Sequence, residues 1–282
     1  MKDEIRKDYL RRLFIPYRKG KELKSFVFQY LQGSGNELKE KFWSNTSSSR
    51  LCFDLYSWMA SDKRYLDIEF EKKLDSIKSG NRRVSPNMDV YYETEEGIYF
   101  IESKYTETAN NSLYKQNLPE AYWKEEEKYK NVKGKDVECK ILDRYNGNVV
   151  VKDSFVEFIN EIGQLALQET NTSWFDAKQE TCHLLGIVFY GLHLKTNKPI
   201  HFFNVAANYK ENDSFAESFC SKAEEMMNKI LKEKSVSFEY KLYSVREFFE
   251  ENQYLDNKGY KSDRTVRQLI TDKNLYKEQP IL

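Results

Sequence analysis

Pro86-Asn87-Met88-Asp89-Val90-Tyr91-Tyr92-Glu93, the polar turn Thr94-Glu95-Glu96-Gly97, and then Ile98-Tyr99-Phe100-Ile101-Glu102-Ser103-Lys104 decide the fold. Apolar and polar residues alternate along both arms, and the four residues between them suit a turn, so residues 84–94 and 97–105 read as a β-hairpin. With the turn centred between Glu95 and Glu96, opposed residue numbers sum to 191. That register sets Asp89 across from Glu102, with Cβ atoms about 5 Å apart. Side chains two apart on a strand share a face, so Lys104 joins Glu102 and Asp89, whereas Ile101 and Ser103 point to the other side. Two carboxylates and one ammonium converge.

Acids so placed repel each other unless a divalent cation neutralises them, and oxygen ligands favour Mg²⁺ or Mn²⁺. Such an ion can activate a water for attack on phosphorus, with Lys104 orienting that water or stabilising the charge that develops. The bare motif carries little weight. A chain with 45 basic and 45 acidic residues contains about seven acid-x-base triplets by chance, so specificity rests on the hairpin geometry. A surface ion-pair ladder uses the same residue types, and in that reading removing Lys104 costs at most about 1 kcal/mol. The hairpin alone leaves both readings open.

Working outward, residues 65–74 alternate with Leu66, Ile68 and Phe70 on one face and Asp67, Glu69 and Glu71 on the other, as a half-buried strand does. Between Ser34 and Ser61 the pattern predicts two short helices around a polar knot at residues 44–49, the second burying Leu51, Leu55 and Trp58. Residues 153–169 form a helix on the strength of a Ser154/Glu157 capping box and a stripe of Phe155, Phe158, Ile159, Ile162, Leu165 and Ala166. His183 to Leu192 is almost continuously apolar and reads as a central strand covered on both faces. A strand at Ile200–Ala206, a capped helix from Ser214 and Glu217, an alternating strand through Val236, Phe238, Tyr240 and Leu242, and two short polar helices complete the chain. Residues 110–135 read as a polar, partly helical surface insertion. This order predicts an α/β fold with a mixed sheet and helices on both sides.

The 282 residues carry no net charge, and a hydrophobic fraction of 40% supports a sizeable core. The first 24 residues nevertheless hold nine basic and four acidic side chains, which suits either a strand-tracking arm or a solvated amphipathic helix. The longest apolar run, Leu184 to Leu192, is far too short to span a bilayer, and the first 17 residues have no apolar stretch of the kind a secretory signal needs. A cytoplasmic protein without a membrane partner is expected. Cys52, Cys139, Cys182 and Cys220 form no C-x-x-C pair, and His183, His193 and His201 make no ligand-spaced cluster with them, so no zinc site is expected.

Four segments in fixed order resemble the PD-(D/E)XK nuclease superfamily. They are Phe42-Trp43-Ser44 leading to Ser47-Ser48, Phe70-Glu71, Pro86-Asn87-Met88-Asp89, and Glu102-Ser103-Lys104-Tyr105-Thr106-Glu107. The likeness is strongest to a group of largely uncharacterised bacterial restriction-endonuclease-like proteins, and it covers residues 34 to 195 or so. One departure is Met88, where Leu is more usual. The resemblance implies a restriction-endonuclease-like mixed sheet within a single nuclease domain, residues 1–282, with a catalytic core at 34–206, extra helices at both ends and an α/β extension at 207–282. It implies that Asp89 and Glu102 are metal ligands, Lys104 the catalytic lysine, and Glu71 an auxiliary acid at the metal, with Mg²⁺ as cofactor and Mn²⁺ as its substitute. Glu37 would be an N-terminal auxiliary acid, and Gln164 the polar residue on the helix after Glu-x-Lys. For these last three and for Ser47 and Ser48, solvated or helix-capping roles stand beside the functional ones. The implied activity is that of a type II restriction-like deoxyribonuclease acting on DNA, a class that often works as homodimers. A repair- or structure-directed nuclease, an RNA-directed one, and a catalytically silent binding module are the alternatives.

Overall fold

Thr94 closes the decisive hairpin. Its N–H donates to the Gly97 carbonyl at 2.9 Å, and its hydroxyl accepts from the Glu96 and Gly97 N–H groups at 3.1 and 3.2 Å. The strands it joins pair Val90 with Ile101, Tyr91 with Phe100 and Tyr92 with Tyr99, the register whose numbers sum to 191. The computed structural model in which this is seen describes residues 2–14, 17–19, 22–32, 38, 41–43, 47–74, 77–79, 82–84, 86–104, 126–130, 136–140, 157–158, 161–163, 165–166, 174–207 and 213–251.

In chain order the elements are α1 (Lys2–Leu13), β1 (Tyr17–Lys19), β2 (Glu22–Lys24), α2 (Phe26–Gln32), α3 (Ser48–Tyr56), β3 (Asp67–Lys73), β4 (Ile77–Ser79), β5 (Arg82–Val84), β6 (Asn87–Glu93) and β7 (Ile98–Lys104). They continue with β8 (Glu126–Lys130), β9 (Asp136–Lys140), α4 (Ala177–His193), β10 (Ile200–Ala206), α5 (Ser214–Leu231), β11 (Phe238–Ser244) and α6 (Val245–Glu251). Five strands make one mixed sheet in the order β11-β10-β7-β6-β3. Strands β3, β6 and β7 run antiparallel, while β10 and β11 lie parallel to β7 and follow α4 and α5. The remaining strands form three separate two-stranded hairpins.

Each face of the sheet carries its own core. On one, α4 and α5 place Leu184, Val188, Phe219 and Met227 against Phe100, Phe202 and Tyr240. On the other, α1, α2, α3 and α6 place Leu13, Phe26, Phe53 and Phe248 against Phe70, Tyr92 and Phe203. Burying such side chains contributes about 1.5–3 kcal/mol each, which is what holds the helices to the strands.

The outer edges of the sheet are bonded by helix side chains. On β3, Gln29 of α2 donates to the Ile68 carbonyl at 3.3 Å and accepts from the Phe70 N–H at 2.8 Å. On β11, Asn228 of α5 donates to the Phe238 carbonyl and accepts from the Phe238 N–H, both at 2.8 Å, and Glu224 accepts from the Tyr240 N–H at 2.9 Å.

Four expectations are corrected. Residues 183–192 are helix, not strand. Asp176 caps α4 by accepting from the Gln179 N–H at 2.9 Å, and the run is apolar all round because Leu184, Leu185, Ile187, Val188, Phe189 and Leu192 are all buried. Gly186 and Gly191 allow that close fit. A Cβ at Gly186 would meet Pro86 Cγ at 2.7 Å and Leu74 Cβ at 2.9 Å. The described part of the 110–135 insertion, Glu126–Lys130, is strand rather than helix, pairing with Asp136–Lys140. Leu66 precedes β3 and is exposed instead of sharing the face of Ile68 and Phe70. The cap of α5 is Asp213, one residue before Ser214. Ser154 lies outside the described residues, whereas Phe158 and Ile162 of the predicted helix are buried on the α4 side of the sheet.

Candidate functional site

The regular alternation of β3 and β6 fails at one matched position. Ile68, Phe70, Val90 and Tyr92 belong to one core, but Leu74 and Met88, which even spacing would put with them, belong to the other. The pairing steps from Phe70 with Val90 to Lys72 with Met88, leaving Glu71 and Asp89 unmatched between them. Glu71 has φ 52°, a left-handed conformation that costs a non-glycine residue about 1 kcal/mol or more. On the other side, the β6–β7 ladder ends at Val90 and Ile101. Asp89 is thus outside both ladders, and its carboxylate takes the place of a main-chain acceptor, receiving the Ser103 N–H at 2.8 Å. A break in both ladders at one residue is how a carboxylate is brought into the plane of a sheet.

Glu102 and Lys104 keep the strand period and point together toward α4. Lys104 Nζ donates to Glu102 Oε1 at 2.6 Å, and Gln179 Nε2 donates to the same oxygen at 2.8 Å. Lys104 also donates to Gln179 Oε1, closing a three-membered ring of contacts. Glu102 is 2% exposed and Lys104 6%, so this is no surface ladder. Removing one partner of a buried pair costs about 3–5 kcal/mol, which overturns the 1 kcal/mol expectation for a surface pair. The second oxygen, Glu102 Oε2, is buried and receives no hydrogen bond from the described residues; His183 Nδ1 stands 3.6 Å away and likewise has no hydrogen-bond partner among them.

One layer deeper, fully buried Glu180 accepts from Asn204 Nδ2 at 2.8 Å and from the Tyr240 hydroxyl at 2.6 Å. Charge is crowded here. Burial, then the charges of Glu102 and Glu71, push the Asp89 carboxyl well above the usual range, against the pull of Lys104 and the Ser103 N–H. Burial and the nearby Glu102 push Glu180 up to about 8. For Lys104, burial works toward the neutral amine, but Glu102 and Asp89 outweigh it and the ammonium is held more firmly than usual. Burial lowers the pKa of His183, Glu102 opposing.

The structure therefore brings Asp89, Glu102 and Lys104 to one end of β6 and β7, with Glu71 at the same break in β3. Glu37 and Gln164 lie outside the described residues. Ser47 is the cap of α3, its hydroxyl accepting from the Arg50 N–H at 3.1 Å. Gln179, Glu180 and His183 were not among the sequence candidates. Their signal was present: Asp176, Gln179, Glu180 and His183 recur at the helical spacing i, i+3, i+4, i+7 just before the apolar run.

Two acids share the end of the sheet, and one of them has a buried oxygen that no donor among the described residues reaches. Among the described residues, no group of three or more His, Cys, Asp or Glu side chains is gathered that could hold a metal ion. No helix among them is long and apolar enough to cross a membrane. Comparison of the chain with protein-family models, with curated proteins and with solved structures finds no match in any of the three.

Proposed function

We propose that this chain is a Mg²⁺-dependent endonuclease that hydrolyses phosphodiester bonds in DNA, with Mn²⁺ able to replace Mg²⁺. The observation that carries the reading is the convergence of Asp89, Glu102 and Lys104 at one end of the sheet, where the β6–β7 ladder ends and the β3–β6 ladder skips one pair. An acid on one strand and Glu-x-Lys on the next strand of a mixed sheet is also the arrangement that the resemblance implies. Asp89 and Glu102 would hold the metal, with Glu71 as auxiliary acid. When bound, the ion supplies a Lewis acid for the phosphoryl oxygen and a water more easily deprotonated than in bulk.

The residues of the chain do the rest. Lys104 keeps its proton, because Glu102 and Asp89 hold the ammonium charged, so it serves as a fixed positive charge and hydrogen-bond donor rather than as a base. Gln179 fixes both members of the Glu102–Lys104 pair, removing the rotamer freedom that would blur their positions. The closed shell around Glu102 keeps water from screening the pair.

Nicking of supercoiled plasmid, single-stranded DNA and RNA, each with Mg²⁺, Mn²⁺ or EDTA, tests the proposal. Expected is metal-dependent cleavage of DNA that is lost in Asp89→Ala and in Lys104→Ala, with DNA affinity in Ca²⁺ retained. Full activity of Lys104→Ala, or cleavage that survives EDTA, would sink it, and cleavage of RNA alone would move the substrate.

A further inference from the structure

Strand β3 does not turn directly into β6. The chain leaves the five-stranded sheet after Leu74, whose N–H donates to the Pro86 carbonyl at 3.0 Å, and between those residues it forms the β4–β5 hairpin, a two-stranded sheet of its own. Glu71 and Asp89 each lie three residues inside that root, about 10 Å along the strand. Strands β7, β10 and β11 run parallel and all finish at this end, so the hairpin leaves the sheet at the end where Glu102 and Lys104 sit. Charge separates it from the other excursion of similar build, β8–β9. There the register sets Glu126 against Lys140, Lys128 against Glu138 and Lys130 against Asp136, so every cation is opposed by an acid. In β4–β5 the register sets Lys78 against Arg83 and Ser79 against Arg82, and neither strand contains an acid. Like charges in opposed positions destabilise a hairpin, and a two-stranded ribbon has little stability to spare in water. Lys73, paired in register with Asn87 at the root, adds an exposed cation.

We propose that the β4–β5 hairpin is a DNA-binding arm that enters the major groove of the duplex and sets Lys78, Arg82 and Arg83 on phosphates flanking the one at Asp89 and Glu102. The inference rests on the nuclease reading for the substrate and goes beyond it in naming where the duplex lies. A register that opposes cation to cation is relieved by an anion from outside the chain, and a phosphate backbone supplies anions at a regular spacing. The major groove of B-DNA, about 12 Å wide, admits a two-stranded ribbon, whereas the deep, narrow major groove of A-form RNA does not. Contacts to phosphate carry no base code, so the arm fixes the position of the duplex over the site and not its sequence.

Binding of a short fluorescein-labelled DNA duplex to the full chain, read by anisotropy in Ca²⁺ across a series of salt concentrations, tests the arm without reference to cleavage. In the triple variant Lys78→Gln, Arg82→Gln, Arg83→Gln the slope of log K against log salt should become shallower by about 2 to 3, since each lost phosphate contact removes about 0.9. Affinity near 0.1 M salt should fall on the order of 10²-fold. The matching triple variant of β8–β9, Lys128→Gln, Lys130→Gln, Lys140→Gln, should leave slope and affinity as in wild type. On double-stranded RNA the hairpin variant should lose no more than about threefold, and an equal loss on RNA and DNA overturns the groove assignment. Wild type that binds and cleaves DNA while the hairpin variant binds it equally well overturns the arm and leaves the nuclease proposal standing. Loss of binding in that variant, with no metal-dependent cleavage by wild type, leaves the arm standing and overturns the nuclease. Wild type that binds no duplex overturns both. Chemical acetylation of the wild-type chain needs no variant and decides the question if the substituted hairpin fails to fold. Duplex should slow modification of Lys78 severalfold and leave Lys128 unaffected, and an unslowed Lys78 overturns the arm.

Discussion

Two buried carboxylates in this chain, Asp54 and Glu102, are each paired with a cation, and they differ in what is left over. Asp54 on α3 uses both oxygens, accepting from the Tyr9 hydroxyl at 2.6 Å and from Arg12 at 3.0 Å, so that α1 is pinned to α3 by a pair with nothing spare. Glu102 on β7 receives Lys104 and Gln179 on one oxygen and, among the described residues, no hydrogen bond on the other, with the charges of Asp89 and Glu180 close by. A carboxylate placed for stability has its lone pairs filled. On the nuclease proposal, Glu102 keeps an oxygen open for chemistry and tolerates like charges nearby, at a cost that the rest of the fold offsets.

That contrast can be broken most severely at Lys104. Its replacement by Ala should lower turnover on DNA by a factor on the order of 10² to 10⁴, equivalent to roughly 3 to 5 kcal/mol of transition-state stabilisation. Because the pair is buried, stability falls too, and DNA affinity in Ca²⁺ below the melting temperature is the control that separates the two losses. Next in size is Asp54→Asn. It should destabilise the chain by about 2–4 kcal/mol in urea unfolding, since the amide cannot accept from both Tyr9 and Arg12 as a charged group does, while Mn²⁺ affinity stays as in wild type.

Glu180 sharpens the comparison through pH. Its folded pKa of about 8 lies above the unfolded value, so the folded state holds its proton more tightly. Its contribution is complete below the unfolded pKa of about 4.3, and stability is lost as pH rises from there toward 8. Urea midpoints at pH 5 and pH 8 should therefore differ more in wild type than in Glu180→Gln, by about 1–3 kcal/mol. An equal difference in the two proteins would mean that Glu180 is ionised throughout. The smallest effect has the opposite sign from Asp54→Asn. In EDTA, Asp89→Asn should raise stability by about 1 kcal/mol, or 2–4 °C in melting temperature, because it removes a charge that burial, Glu102 and Glu71 all disfavour and still offers an oxygen to Ser103.

The hairpin was legible because nothing beyond it was needed. Thr94 and the period-two alternation fix the register of Val90 on Ile101 whatever covers the sheet. What covers it was harder to read. The apolar stretch of α4 from Leu184 to Phe189 is buried throughout, so it loses the period that would have distinguished it from a strand, and only Gln179, Glu180 and His183 betray it. Missing that helix meant missing Gln179, which meets Lys104 from 75 residues away, and it left a surface ion-pair ladder open as a reading of the Glu102–Lys104 pair. The irregularity at Glu71 and Asp89 was illegible for another reason. A left-handed glutamate is unfavourable in any short peptide and exists only because Phe70 and Leu74 are drawn into opposite cores.

The amides of Gln29 and Asn228 bear on how copies of this chain can meet. An unblocked strand edge is a template on which another strand can polymerise, through ordered dimers or through fibrils. Here a carboxamide imitates the next strand at each outer edge, offering one donor and one acceptor where a neighbouring backbone would offer the same. A second copy that sought to extend the sheet would first have to displace these side chains, so an assembly suited to cutting both strands of a duplex is expected to form through helices or loops. Removing the two amides together should leave the fold in place and yield a chain that aggregates on standing, a hazard that two well-placed amides hold in check.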